Sequence, residues 1–207
     1  MKKLLVLILF LFAGTISIAG SNYKTISLPK GVSIDLPINW QVMSNNERIT
    51  LDAYAETLSD PPTDSEFPFA ANYYNDNDEI DALVNIRYYP WEVVTQENVI
   101  NMFTPDVLRE MDDVLYKSST LAMKKISGKM LSWNGTKKKL IKDTVALVTD
   151  YRRYEGLSKS NARVRLVRVL NGNKSFTLTV SYVDNKKSSF MLKEITNRII
   201  ESLSLSN

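Results

Sequence analysis

Four stretches in the second half of the chain set the tightest limit on its architecture. Residues 126–133, Thr144–Tyr154, Arg163–Leu170 and Ser175–Val183 follow a period of two, and the last three are rich in Val, Leu, Thr and Tyr. The joins between them are short. Asn134-Gly135 reads as a hairpin turn, and Asn171-Gly172-Asn173 links the last pair tightly. Parallel neighbours need a crossover of a dozen or more residues. The spacing therefore predicts a largely antiparallel meander, with Lys137, Lys138, Lys139 and Lys142 crowded at its first turn.

The first half adds strands and then helices. Ile26 and Leu28 alternate with Thr25 and Ser27, Pro29-Lys30-Gly31 turns the chain, and Val32, Ile34 and Leu36 alternate with Ser33 and Asp35. Pro37 ends that strand for want of an N–H, and Trp40 follows as a packing anchor. Residues 48–58 fit a strand or a helix equally. Phe67–Tyr74 and Ile80–Tyr89 form a hairpin around the acidic turn Asn75-Asp76-Asn77-Asp78-Glu79. Thr95 caps a short helix holding Val99, Ile100 and Phe103. Thr104-Pro105 opens a second, with the stripe Val107, Leu108, Met111, Val114 and Leu115. Ser188 or Ser189 caps a last helix whose inner face is Met191, Leu192, Ile195, Ile199, Ile200 and Leu203. The order implies an α+β fold in which helices cover a sheet, as one domain over residues 20–207.

Residues 1–19 read as an export signal. Lys2 and Lys3 precede an apolar run from Leu4 to Ala13, and small Ser17 and Ala19 precede a cut between Ala19 and Gly20. The expected location is the periplasm or the medium, with no membrane anchor after cleavage. Charge is divided along the remainder. Residues 20–115 hold 17 acids and 5 bases, a net −12, and residues 116–207 hold 6 acids and 19 bases, a net +13. Either the two halves interleave and neutralise each other, or the basic half presents a face to an anionic partner. Nucleic acid is not an expected partner for an exported protein.

Reactive chemistry is narrow. The sequence has no Cys and no His, which removes disulfides, thiolate and imidazole metal sites, a Cys nucleophile and a Ser–His pair. The glycines make no phosphate-binding loop. The weak calcium candidates are Asp76, Asp78 and Asp81, hard oxygens in the acidic turn, although no EF-hand spacing is met. A binding surface is expected from Tyr73, Tyr74, Tyr88, Tyr89 and Trp91 on the hairpin, and from Arg163 and Arg165, which share one strand face with Arg152 and Arg168 nearby. The alternative for the tyrosines is a sheet covered on both faces.

The segment Ile26-Ser27-Leu28-Pro29-Lys30-Gly31-Val32-Ser33-Ile34-Asp35-Leu36-Pro37-Ile38-Asn39-Trp40 pairs a short hairpin with a Pro-x-x-Trp step. With the late meander and the ending Ile195-Thr196-Asn197-Arg198-Ile199-Ile200-Glu201-Ser202-Leu203, it resembles the PsbP-like superfamily, including bacterial DcrB-type exported proteins. The resemblance implies an α/β/α sandwich around a largely antiparallel sheet, and a docking role toward another protein. It transfers no cofactor and no catalytic residue, and a metal role that uses His cannot carry over. The leading expectation is a non-catalytic exported binding or accessory protein. The alternatives are a small-ligand or calcium-binding module using the hairpin or its turn, and a His-free hydrolase.

Overall fold

The computed structural model describes residues 22–58 (backbone only at 54–58), 65–89, 94–156, 158–185 and 188–206. The expected leader 1–19 with its Ala19–Gly20 cut, residues 59–64 and Trp91 lie outside the described residues.

The chain begins with β1 (Tyr23–Ser27), a single 3-10 turn (Pro29–Gly31) and β2 (Val32–Pro37). Next come the two-residue strand β3 (Gln41–Val42) and α1 (Asn45–Leu58). The helix settles the ambiguity of residues 48–58, and its cause is local. The Ser44 N–H donates to Glu47 Oε2 at 2.6 Å, and the Glu47 N–H donates back to Ser44 Oγ at 3.3 Å. This reciprocal cap satisfies N–H groups that a helix start leaves bare. Those hydrogen bonds also hold the Glu47 carboxyl below its ordinary range.

The predicted hairpin is β4 (Glu66–Tyr74) and β5 (Ile80–Tyr88). Thr95 caps α2 (Gln96–Met102) through a box with Asn98, and Thr104 caps α3 (Pro105–Lys125). The meander follows as β6 (Lys129–Ile141), β7 (Thr144–Glu155), β8 (Ser160–Val169) and β9 (Phe176–Val183). The chain closes with α4 (Ser189–Ser202) and β10 (Ser204–Leu205). All strand pairs are antiparallel, in a small sheet β1-β2-β10 and a seven-stranded sheet β3-β4-β5-β9-β8-β7-β6.

The main core lies between the two sheets and α4. Val32, Ile34 and Leu36 of β2, and Leu192, Ile199 and Ile200 of α4, pack on alternate residues of the large sheet, among them Val84, Ile86, Leu178 and Val167. Trp40 sits in this core at 2% exposure and packs beside Tyr73, with ring centres 6.2 Å apart. Each fully buried aliphatic or aromatic side chain contributes about 1.5–3 kcal/mol. A second, smaller core joins Val99 of α2 to Leu147 and Leu170 on the opposite sheet face, with Leu108 and Met111 of α3 against it.

The structure corrects four expectations. Asn134-Gly135 is not a hairpin turn: β6 runs through it, and Lys142-Asp143 makes the turn instead. Between the pairs Trp133↔Tyr151 and Thr136↔Thr149, residues 134 and 135 together face Asp150, which makes a bulge with Gly135 at φ +75°. A tight hairpin and this bulge both need a residue with positive φ, so the dipeptide specifies a dihedral and not a turn. Lys137, Lys138 and Lys139 consequently lie on a strand. In α3, Val107 and Val114 are exposed, because the buried face includes Asp112, whose Oδ2 accepts the bulge's Thr136 N–H at 2.8 Å. Finally, Ile100 of α2 and Met191 of α4 face solvent.

The corrected face of α4 gives a direct test. Leu192→Ala should cost about 2–5 kcal/mol, whereas Met191→Ala should stay within about 0.5 kcal/mol, both read from urea denaturation midpoints.

Candidate functional site

The large sheet keeps the two halves of the chain apart. Its order places β3, β4 and β5 from the acidic half at one end, and β9, β8, β7 and β6 from the basic half at the other. The division of charge along the sequence thereby becomes a division in space. Helix α3, with its acids in its first half, returns to lie along β6, but on the face of the second core. The opposite face of the basic strands, beside α4, keeps its positive charge.

Alternation puts Arg152 on β7 and Arg163 and Arg165 on β8 toward that face, with Lys137 and Lys139 of β6 beside them. Arg168 does not join this group; an odd number of positions separates it from Arg165, so it turns to the other face. Arg152 and Arg163 are direct cross-strand partners, a like-charge pair that by itself is destabilising. Asp184 resolves it by pairing with Arg152 and accepting from Arg163 Nε at 3.0 Å. Burial alone would raise the Asp184 carboxyl, but the hydrogen bonds and charges of the two arginines bring it below its ordinary value. The same bond raises the Arg163 guanidinium. Burial pushes the neighbouring Tyr182 phenol up, against the pull of Arg163.

Arg165 is held more firmly still. Its Nε donates to Asp150 Oδ1 at 2.5 Å, its Nη2 to Asp150 Oδ2 at 3.2 Å, and its Nη1 to Asn197 Oδ1 of α4 at 2.8 Å. Between these groups and α4 lies a cleft of about 120 Å³, with Tyr182 and Lys193 on its walls. A hollow of about 430 Å³ continues from it past the bulge to Lys137 and Lys139. Asp150 and Asp184 are both committed to arginines. Among the described residues Lys137, Lys139 and Lys193 make no ion pair, so the face carries uncompensated positive charge. Lys193, Asn197 and the two aspartates could not be read from strand patterns, since they come from separate elements. The period-two spacing of Arg163 and Arg165, with Arg152 and the lysine cluster near them, announced the face in advance.

The aromatic hairpin divides as paired tyrosines on a strand should. Tyr88 is a core residue at 1% exposure, so it belongs to the packing and offers no docking surface. Its hydroxyl donates to the Pro29 carbonyl at 2.5 Å, and its ring meets Phe176 edge-on. Burial, with Glu66 nearby, pushes its phenol up to about 12. Tyr73 also packs on the main core. Tyr74 accepts from the Asn72 amide at 3.3 Å, and Tyr89 lines a groove on the far sheet face.

In the acidic turn Asn75 does the organising. Its Oδ1 accepts from the N–H groups of Asn77 and Glu79 at 2.9 and 3.0 Å, and its Nδ2 donates to Asp81 at 3.1 Å. This is a self-satisfied Asx turn. Asp76 and Asp78 are exposed and Asp81 is buried, and among the described residues no group of three or more acids is gathered as a metal would need.

Comparison with solved structures places this architecture. The solution structure of cyanobacterial PsbP (CyanoP) from Synechocystis sp. PCC 6803 superposes with a TM-score of 0.50, covering 92% of this chain and 96% of that one at 10% identity. LpqN, involved in cell envelope biogenesis of Mycobacterium tuberculosis, gives 0.43 at 10% identity over 89% of this chain and 91% of its own. The Ran-binding protein Mog1p of Saccharomyces cerevisiae gives 0.43 at 7% identity over 89% and 95%. The first shows that the chain has the PsbP-like fold, and at this identity it shows the fold alone. No family model matches the chain, and no curated protein matches its sequence.

Asp184 carries a checkable pH signature. Its folded-state pKa lies below its unfolded value, so its contribution is complete above the unfolded value near 3.8 and is lost as pH falls through the folded one. Asp184→Asn should destabilise by roughly 1 kcal/mol at neutral pH. The gap to the parent should narrow in thermal melts taken at progressively lower pH in the acid range.

Proposed function

For a chain with the PsbP-like fold, we propose a non-catalytic binding role in which the positive face beside α4 docks an acidic segment of another protein. The observation that carries this reading is the sheet order. It collects the basic strands at one end, and α3, whose carboxylates lie in its first half, covers only one of their two faces. The arginines are already fixed in place by Asp150 and Asp184, so little side-chain entropy is lost when a partner arrives. The lysines around them supply charge that acts at a distance and steers encounter. The absence of both Cys and His from the whole sequence supports a role without bond-making chemistry.

The same reading takes residues 1–19 as a cleaved leader and residues 20–207 as the working domain, on the strength of Lys2, Lys3, the Leu4–Ala13 run and the Ser17 and Ala19 spacing. The protein then meets its partner outside the cytoplasm. Among the described residues no helix is long and apolar enough to cross a membrane. Sequencing the amino terminus of exported protein should return Gly20.

A glutamate decamer serves as the probe for the face, followed by fluorescence anisotropy. Raising salt from about 0.1 M to about 1 M shortens the Debye length from ~10 Å to ~3 Å and should abolish binding. The double variant Lys137→Glu and Lys139→Glu should weaken binding about tenfold or more with an unchanged melting temperature. Salt-independent binding, or preference for phosphatidylglycerol vesicles over the peptide, would sink the proposal.

A further inference from the structure

The sheet face turned toward α1 and α3 is polar at its centre, where a helix-covered sheet is ordinarily apolar. Two cross-strand rows run over β5, β9 and β8. One is Arg87, Thr177 and Arg168; the next is Asn85, Thr179 and Leu166. They floor a groove of about 340 Å³. Phe67 and Tyr89 wall it from the hairpin side, Tyr151 from β7, and Leu51 of α1 closes over it.

The two arginines are treated differently. Arg87 pairs with Asp52, donates to Ser65 Oγ at 3.2 Å and lies 4.4 Å from the centre of the Phe67 ring. Arg168 donates to Thr149 Oγ1 at 2.9 Å, and Thr149 in turn shares a 2.6 Å hydrogen bond with Thr136. Among the described residues Arg168 makes no ion pair with a carboxylate. Asp112 of α3 is within electrostatic reach, but one of its oxygens is taken by the Thr136 N–H of the bulge. Burial lowers the Arg168 guanidinium from its ordinary value. A partly buried cation that makes no carboxylate ion pair among the described residues is costly to keep out of water.

We propose that this groove binds a small organic anion, its carboxylate held by Arg168 and the Thr177 hydroxyl and its flat apolar body set among the rings of Phe67, Tyr89 and Tyr151. Guanidinium and carboxylate match in planar, two-point geometry. Apolar walls with a few convergent polar groups are the usual make-up of small-ligand sites. The groove lies on the opposite sheet face from the positive cleft, so the two sites stand or fall separately.

The test is an amide-resolved NMR titration of the folded protein with benzoate, with benzamide as the neutral control and inorganic phosphate as the anion without a body. Benzoate should shift the amides of Asn85, Thr177 and Thr179, and bind at least tenfold tighter than either control. Arg168→Met keeps the volume and removes the charge. It should lose benzoate affinity at least tenfold while the melting temperature holds or rises, the opposite of what a purely structural arginine would show. Thr179→Phe fills the groove with Arg168 intact and should also block binding, which keeps the test open if the first variant fails to fold. Arg163→Glu, on the other face, should leave benzoate binding unchanged. The proposal is overturned if shifts fall elsewhere, if benzamide or phosphate matches benzoate, or if binding survives Arg168→Met or Thr179→Phe.

Discussion

The apolar contact between the large sheet and the layer made by β2 and α4 determines where almost every other group can go. Val32, Ile34 and Leu36 meet Leu192, Ile199 and Ile200 over the alternate residues of five strands. That surface is dry and close-packed, so a one-residue slip of any strand would carry its apolar set into water. Register is therefore fixed, and with it the side of the sheet on which each polar residue emerges. Arg163 and Arg165 keep step with Val167 and Val169 of β8 and emerge on the α4 face beyond the end of the core. Arg168 is out of step and lies on the other face. One packing constraint thus sorts the arginines into two populations with different surroundings.

The second consequence concerns charge. The meander keeps the basic strands contiguous, and the hairpin adds at β9, so acidic and basic halves are not shuffled together. On the second-core face the halves interleave where α2 packs on β7 and α3 crosses β6, and there the Gly135 bulge turns the Thr136 N–H toward Asp112. A side chain at position 135 would meet Asp112 Oδ2 at 2.7 Å, so the absence of a Cβ is what permits the approach. On the second-core face α3 brings Asp112 from the acidic half against a strand of the basic half. On the other, the aspartates present are consumed in separating Arg152 from Arg163 and in fixing Arg165.

Much of the fold was legible because it depends on short-range rules. The strands of the hairpin and meander, the caps at Thr95 and Thr104 and the burial of Trp40 all follow from alternation, cap chemistry and the cost of exposing a large ring. Helix α1 was legible too, through the Ser44-x-x-Glu47 box, but the alternation of Ile49, Leu51 and Ala53 masked it. The sites were far less visible. Of the cleft, Arg163 and Arg165 with nearby Arg152 stood out, whereas Asp150, Asp184, Lys193 and Asn197 meet them from other strands, a loop and a helix and did not. Of the groove, Tyr89 stood out as an aromatic, and Arg168, expected near Arg163 and Arg165, lies on the opposite face.

The sequence by itself determined the elements, their antiparallel joining, the lack of thiol and imidazole chemistry and the uneven charge of the two halves. These are properties of neighbouring residues and of composition. Only the tertiary structure decided that Asn134-Gly135 bends a strand instead of ending it, that Tyr88 is core, and that Arg163 and Arg165 emerge beside α4 while Arg168 lies half-buried on the opposite face. Those outcomes depend on which strand pairs with which and on what covers each face, and such long-range pairings leave no periodic trace in the order of the residues.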